Sequence, residues 1–186
     1  MKKNQYTITK LNKKRKVYQF NTSELAEQYR KLNDYLKKYY PNTANRNRAV
    51  DKIIHSLAPQ VNRITDKGHY VPSDLSKTVV RGDIKDFFPS INKHELYKLI
   101  THSTKLVLTN NQRKLLADIL FDPNFKGIPQ GLAISSTFSE IYLEQFDNLM
   151  KIIFSSCIYV RYVDDFLLIC PTSLTYQYDF QNSICS

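Results

Sequence analysis

Two adjacent aspartates, Asp164 and Asp165, stand between the apolar runs Ile158-Tyr159-Val160-Arg161 and Phe166-Leu167-Leu168-Ile169. Two strand-like runs around Tyr162-Val163-Asp164-Asp165 read as a β-hairpin with the carboxylates at its tip. A hydrophobic core has no use for two bare carboxylates, because buried unpaired charge is costly. Divalent metal ions do have a use for them. An Asp-Asp pair in a loop is weak evidence alone, and its weight depends on whether a further carboxylate occupies a matching position.

Asp83 is that carboxylate. Val79-Val80 lead into it and Ile84 follows, so it falls on a predicted strand within Arg81-Gly82-Asp83-Ile84-Lys85-Asp86-Phe87-Phe88-Pro89-Ser90-Ile91. Strand alternation sends Asp83 and Lys85 to one face and Ile84 to the other. A strand ending in a carboxylate, with a carboxylate-tipped hairpin, suits a site where two metal ions about 3.5–4 Å apart clamp the oxygens of a phosphoryl transfer. The three carboxyl groups should then lie on the order of 4–6 Å from one another. The bland alternative is that Asp83 or Asp86 pairs with Arg81 or Lys85 at a surface.

These residues, with Gly127-Ile128-Pro129-Gln130-Gly131-Leu132-Ala133-Ile134-Ser135-Ser136, resemble the palm of a reverse transcriptase. A strand Asp followed by paired aromatics, a Pro-Gln-Gly turn before a helix, and a Tyr-x-Asp-Asp hairpin occur in the family's order. The similarity is strong from about Val79 to Ile169 and weaker from Tyr6 to Phe20. The resemblance implies that Asp83 and Asp164 ligate two Mg²⁺ ions, replaceable by Mn²⁺, with Asp165 beside them and the Ile84 carbonyl on the nucleotide-side metal. It further implies that Phe88 lies under the incoming sugar and excludes a 2′-hydroxyl. Gln130 would lie against the incoming nucleotide and Tyr162 near the primer end. RNA template, DNA or RNA primer and deoxynucleoside triphosphates are the implied partners.

Charge agrees with a nucleic-acid partner. Residues 1–70 hold 16 Lys+Arg against 5 Asp+Glu, or +11, while residues 71–186 hold 11 against 12, or −1. A basic block of this kind attracts phosphate backbones by counterion release; a merely solvated basic surface is the alternative. The chain has 186 residues and 42% hydrophobic residues, enough for one substantial domain or two small ones. No apolar run approaches the ~18–20 residues that span a bilayer. The basic N-terminus lacks an apolar signal region, so a cytoplasmic location and no membrane partner are expected. Cys157, Cys170 and Cys185 show no metal-ligand spacing, nor do the four histidines. Cys157 and Cys170 read as buried thiols.

Tyr6–Lys10 and Lys16–Phe20 alternate as strands and predict a basic hairpin. It resembles the fingers hairpin of the family, in which Lys10 and Arg15 would grip the triphosphate. Thr22 or Ser23 caps a first helix ending near Tyr40, with Leu25, Tyr29, Leu32 and Leu36 inward. A second helix is predicted over 48–57, with Val50, Ile53, Ile54 and Leu57 as its apolar face. Asp66-Lys67-Gly68 marks a turn. Asn92 and Glu95 suggest a capping box, with Leu96, Leu99 and Ile100 inward. Further helices are predicted over about 111–120 and 132–153, the latter with Ile134, Phe138, Ile141, Tyr142, Gln145 and Leu149 near one face.

The sequence ends 21 residues after Asp165, where the family continues into a thumb. A truncated or split polymerase, or a thumb on a separate polypeptide, is the expectation. Val163, where intron and retron enzymes often have Ala, and Ser135-Ser136-Thr137, without their usual Pro, point toward bacterial defence-associated enzymes. The expected fold is α+β: a right-hand polymerase fingers–palm fragment with an antiparallel palm sheet packed on helices and no thumb. Its parts are a basic fingers-like region 1–75, a palm 76–170 and an irregular tail 171–186. The expected activity is RNA-directed DNA synthesis. The alternatives are a non-catalytic nucleic-acid-binding palm and an untemplated or protein-primed DNA polymerase. An RNA-dependent RNA polymerase is a further alternative, which Phe88 argues against.

Overall fold

The computed structural model describes residues 6–11, 15–41, 46–57, 61–64, 70–72 and 76–172. The chain divides into two compact units, one made of 1–43 and 85–145, the other of 44–84 and 146–186. Helices and small antiparallel sheets make both, so the fold is α+β as expected. No helix among the described residues is long and apolar enough to cross a membrane.

The first unit opens with the predicted hairpin, β1 (Tyr6–Leu11) and β2 (Arg15–Phe20), paired from Tyr6↔Phe20 to Leu11↔Arg15. Aromatic residues anchor it. Phe125 meets Tyr6 and Tyr18 edge-on, with ring centroids 5.1 and 4.6 Å apart, and Phe20 stacks on Tyr29 at 4.7 Å. Helix α1 (Ser23–Tyr39) begins where the Thr22 side chain accepts from the Leu25 N–H, and it buries Tyr29, Leu32 and Leu36. Leu25 is only half-buried. Two polar contacts fix α1 in its core. The Tyr29 hydroxyl donates to the Leu115 carbonyl at 3.0 Å, and Thr137 Oγ1 donates to the buried Asn33 Oδ1 at 2.6 Å.

A single short turn, α3 (Phe87–Ser90), precedes α4 (Lys93–Thr101). Asn92 caps α4 as predicted, its side chain accepting from the His94 and Glu95 N–H groups. The reciprocal Glu95 bond expected of a capping box is not the one observed. Tyr142 Oη takes that place, accepting from the Asn92 N–H and donating to Glu95 Oε2. A complete capping box, which the sequence reading missed, starts α5 (Asn110–Leu120) at Thr109 and Gln112. Helix α6 (Ala133–Ile153) follows the Pro-Gln-Gly turn, and the unit boundary falls within it. Ile134, Phe138 and Ile141 are buried, but Gln145 and Leu149 are exposed. The predicted stripe therefore covers only the helix's first half.

The second unit is built on a three-stranded antiparallel sheet in the order β5 (Lys77–Asp83), β7 (Asp165–Pro171), β6 (Ile158–Tyr162). Alternation on β7 sends Phe166, Leu168 and Cys170 to one face, where they pack with Met150 and Phe154 and with the partly buried Phe146, Ile153 and Val80. Gly82 faces Phe166 across the ladder, and a Cβ there would lie 2.1 Å from the ring's Cζ. The absence of a side chain at residue 82 is what leaves room for the end of that ring. The central strand thus buries this face, and Asp165 at its start lies on the other, along with the buried Ile169.

Two expectations fail in this unit. Cys157 and Cys170 are joined in a disulfide. The register continues one step beyond Ile158↔Ile169 to set the two cysteines across from each other, with Cα atoms 4.4 Å apart. Helix α2 (Arg46–Leu57) leaves Val50, Ile54 and Leu57 exposed. It turns Ser56 and part of Ala49 and Ile53 inward, with Lys52 Nζ donating to the Tyr159 carbonyl at 2.8 Å. The packed stripe lies one step around the helix from the apolar one. A second hairpin pairs β3 (Val61–Ile64) with β4 (Tyr70–Pro72). The turn expected at Asp66-Lys67-Gly68, Cys185, and the tail from residue 173 onward lie outside the described residues.

Candidate metal centre

Asp83 is the last residue of β5 and pairs with Asp165, the first residue of β7. Asp165 also pairs with Tyr162 at the end of β6, so Val163 and Asp164 form a two-residue hairpin tip. Asp83, Asp164 and Asp165 each offer a carboxylate oxygen within 4.8 Å of the others'. Asp83 is exposed; Asp164 and Asp165 are half-buried. The Ile84 N–H donates to the Asp164 carbonyl at 3.2 Å, tying the end of β5 to the tip. Three carboxylates converging on one small region form an oxygen donor set that fits a hard divalent cation such as Mg²⁺ or Mn²⁺.

The tip is held in an unfavourable backbone. Val163 has φ 58°, a left-handed conformation that costs a β-branched residue roughly 1–3 kcal/mol. Arg161 supplies the restraint. Its Nε and Nη2 grip Asp147 Oδ1 and Oδ2 at 2.7 Å each, and Nη1 donates to the Val163 carbonyl at 2.8 Å. The pair is nearly excluded from solvent, with 4% and 15% of the two side chains exposed. Tyr159 Oη donates to Asp147 Oδ1 at 2.7 Å, and burial, then Asp147, pushes its phenol far above the ordinary tyrosine range. A forked, charge-assisted pair of this kind has a single satisfactory geometry. It fixes the turn that carries Asp164.

Arg161 and Asp147 are not among the site residues expected from sequence. A lone cation inside an otherwise apolar strand was the available signal. From sequence, Arg81 is a candidate partner of Asp83 or Asp86. The structure pairs it with Asp165 instead, Nη2 at 2.8 Å and Nε at 3.3 Å from Oδ1. That hydrogen bond, reinforced by the Asp165 charge, holds the Arg81 guanidinium protonated beyond its ordinary range.

A family model described as reverse transcriptase (RNA-dependent DNA polymerase) matches residues 8–181. The chain belongs to the reverse transcriptase family. A comparison with curated proteins finds no match. Tyr162 lies at the end of β6 beside Asp165 and is 43% exposed. Asp83, Ile84, Tyr162, Asp164 and Asp165 are thus brought together in one unit.

The remaining predicted residues belong to the other unit. Phe87 is buried and Phe88 half-buried. The Phe88 carbonyl accepts from the Ile128 N–H at 3.0 Å, and a Cβ at Gly127 would lie 2.0 Å from that oxygen. Gln130 is half-buried, and its carbonyl accepts from the Tyr18 N–H at 3.0 Å. Gly131 has φ +93°, and a Cβ there would meet Val17 Cγ1 at 2.4 Å. The Pro-Gln-Gly turn is therefore stitched to α3 at one end and to β2 at the other. Lys10 and Arg15 occupy the turn-proximal ends of β1 and β2; their side chains lie outside the described ones.

Proposed function

We propose that this chain is the fingers–palm part of an RNA-directed DNA polymerase that adds deoxynucleotides to a primer 3′-hydroxyl. The observation that carries this is the convergence of Asp83, Asp164 and Asp165 in a member of the reverse transcriptase family. Asp83 and Asp164 would hold the divalent ions, with Asp165 and the Ile84 carbonyl completing the donor set. Two such ions, when bound, supply positive charge to the attacking and leaving oxygens. The protein's own part is positioning. The Arg161–Asp147 fork holds the tip, and the Ile84–Asp164 bond sets it against β5.

Phe88 would select deoxyribose by leaving no room for a 2′-hydroxyl, since steric exclusion discriminates strongly. Gln130 would meet the nucleotide at the start of α6, where free N–H groups favour phosphate. Lys10 and Arg15 would neutralise the triphosphate, and Tyr162 would lie at the primer end. The basic region 1–75 would act as fingers and 76–170 as palm. A setting in bacterial defence rests on Val163 and Ser135-Ser136-Thr137 alone.

Primer extension on an RNA template with deoxynucleotides tests the reading. With a thumb supplied, the chain should extend the primer with template-complementary product, and Asp164→Asn should abolish extension while RNA binding persists. Product made equally well without template would favour the untemplated polymerase. Metal-dependent synthesis undiminished in Asp164→Asn would refute the site assignment.

A further inference from the structure

Arg81 lies two residues before Asp83 on β5, across from Leu167, while Asp165 lies across from Asp83. Its side chain is 73% exposed. It nonetheless reaches along the strand to place two N–H groups on a single oxygen of Asp165. A cation therefore stands at one of the three carboxylates that form the candidate metal centre. Like charges a few ångströms apart repel, and an ion at the carboxylate cluster would feel the guanidinium at close range. The same hydrogen bonds also steady the Asp165 side chain, which works in the opposite direction. That second effect is small, because an exposed ion pair restrains two solvated side chains only weakly. The charge effect decides the sign.

We propose that Arg81 is the resident counter-ion of the metal centre: it holds Asp165 when no metal is bound and competes with the incoming divalent ion for that carboxylate. Arg81 touches neither substrate nor ion in this account and acts through Asp165. It sets how much divalent metal the centre needs before it loads. The inference rests on the metal-binding reading of Asp83, Asp164 and Asp165. It deepens that reading by naming a residue that opposes loading.

The test is Mn²⁺ binding to the whole chain without nucleic acid, followed by electron paramagnetic resonance of the free ion at low ionic strength. Arg81→Ala should tighten binding about three- to tenfold, and Arg81→Lys, which keeps the charge, should stay within about twofold of the unchanged chain. In an Asp165→Asn background the effect of Arg81→Ala should largely vanish. Added salt should compress the gain, since the pair is exposed. Mn²⁺ binding that depends on Asp83 and Asp164 but is unchanged or weakened in Arg81→Ala overturns the counter-ion role and leaves the metal centre standing. Binding indifferent to Asp83→Asn and Asp164→Asn overturns the metal centre itself, and the counter-ion role with it. Circular dichroism of each variant separates these outcomes from misfolding.

Discussion

At the scale of single residues, Arg161 and Asp147 do the most to hold the candidate site together. Removing one partner of a buried pair strands the other charge, a loss of about 3–5 kcal/mol. Arg161→Ala should therefore lower the unfolding free energy by that amount in denaturant titration. Tyr159→Phe, which removes one of the bonds to Asp147, should cost only about 1 kcal/mol. Equal and small losses in both variants would mean that the fork does not carry the tip. The adjacent phenylalanines make a second pair with separable roles. Phe87 is 3% exposed, so Phe87→Ala should cost about 3–5 kcal/mol. Phe88→Ala should cost less stability and, if the ring faces the sugar as proposed, should raise ribonucleotide incorporation relative to deoxynucleotide. An unchanged sugar preference would move the gate elsewhere.

At the scale of elements, the packing of β5 against β7 depends on one missing side chain. Gly82→Ala puts a methyl group into the Phe166 ring, and overpacking of this kind costs about 1–3 kcal/mol. Phe166→Leu removes the obstructing ring, so the double variant should be more stable than the two single losses predict. Strict additivity would show that the two residues do not meet. Much of this level was legible in the sequence. The hairpins at 6–20 and 158–171, the Thr22 and Asn92 caps and the convergence of three aspartates follow from alternation, capping chemistry and carboxylate placement. What was not legible depends on partners distant in sequence. Val50, Ile54 and Leu57 form an apolar stripe, yet β6 lies against the neighbouring stripe of α2. Glu95 could have closed a capping box, but Tyr142, 50 residues after Asn92, takes the bond. Cys157 and Cys170 become a pair only once the β6–β7 register is known, and Arg161 acquires its meaning only when Asp147 is placed beside it.

At the scale of the whole molecule, charge and site divide the chain. The +11 of residues 1–70 would supply the grip on nucleic acid, while the carboxylates gather further along. RNA affinity should therefore fall steeply with salt, as counterion release requires. Deleting residues 1–20, which hold seven Lys+Arg, should flatten the slope of log affinity against log salt. Salt-independent affinity would argue for another kind of partner. The central claim is narrower: three aspartates from two strand ends and a hairpin tip form one metal centre. Anomalous diffraction from crystals of the chain grown with Mn²⁺ tests it most directly. Anomalous density is expected among the carboxylates of Asp83, Asp164 and Asp165 and should be lost in Asp83→Asn crystals. Manganese bound only elsewhere, with the hairpin tip ordered and the carboxylates bare, would contradict it.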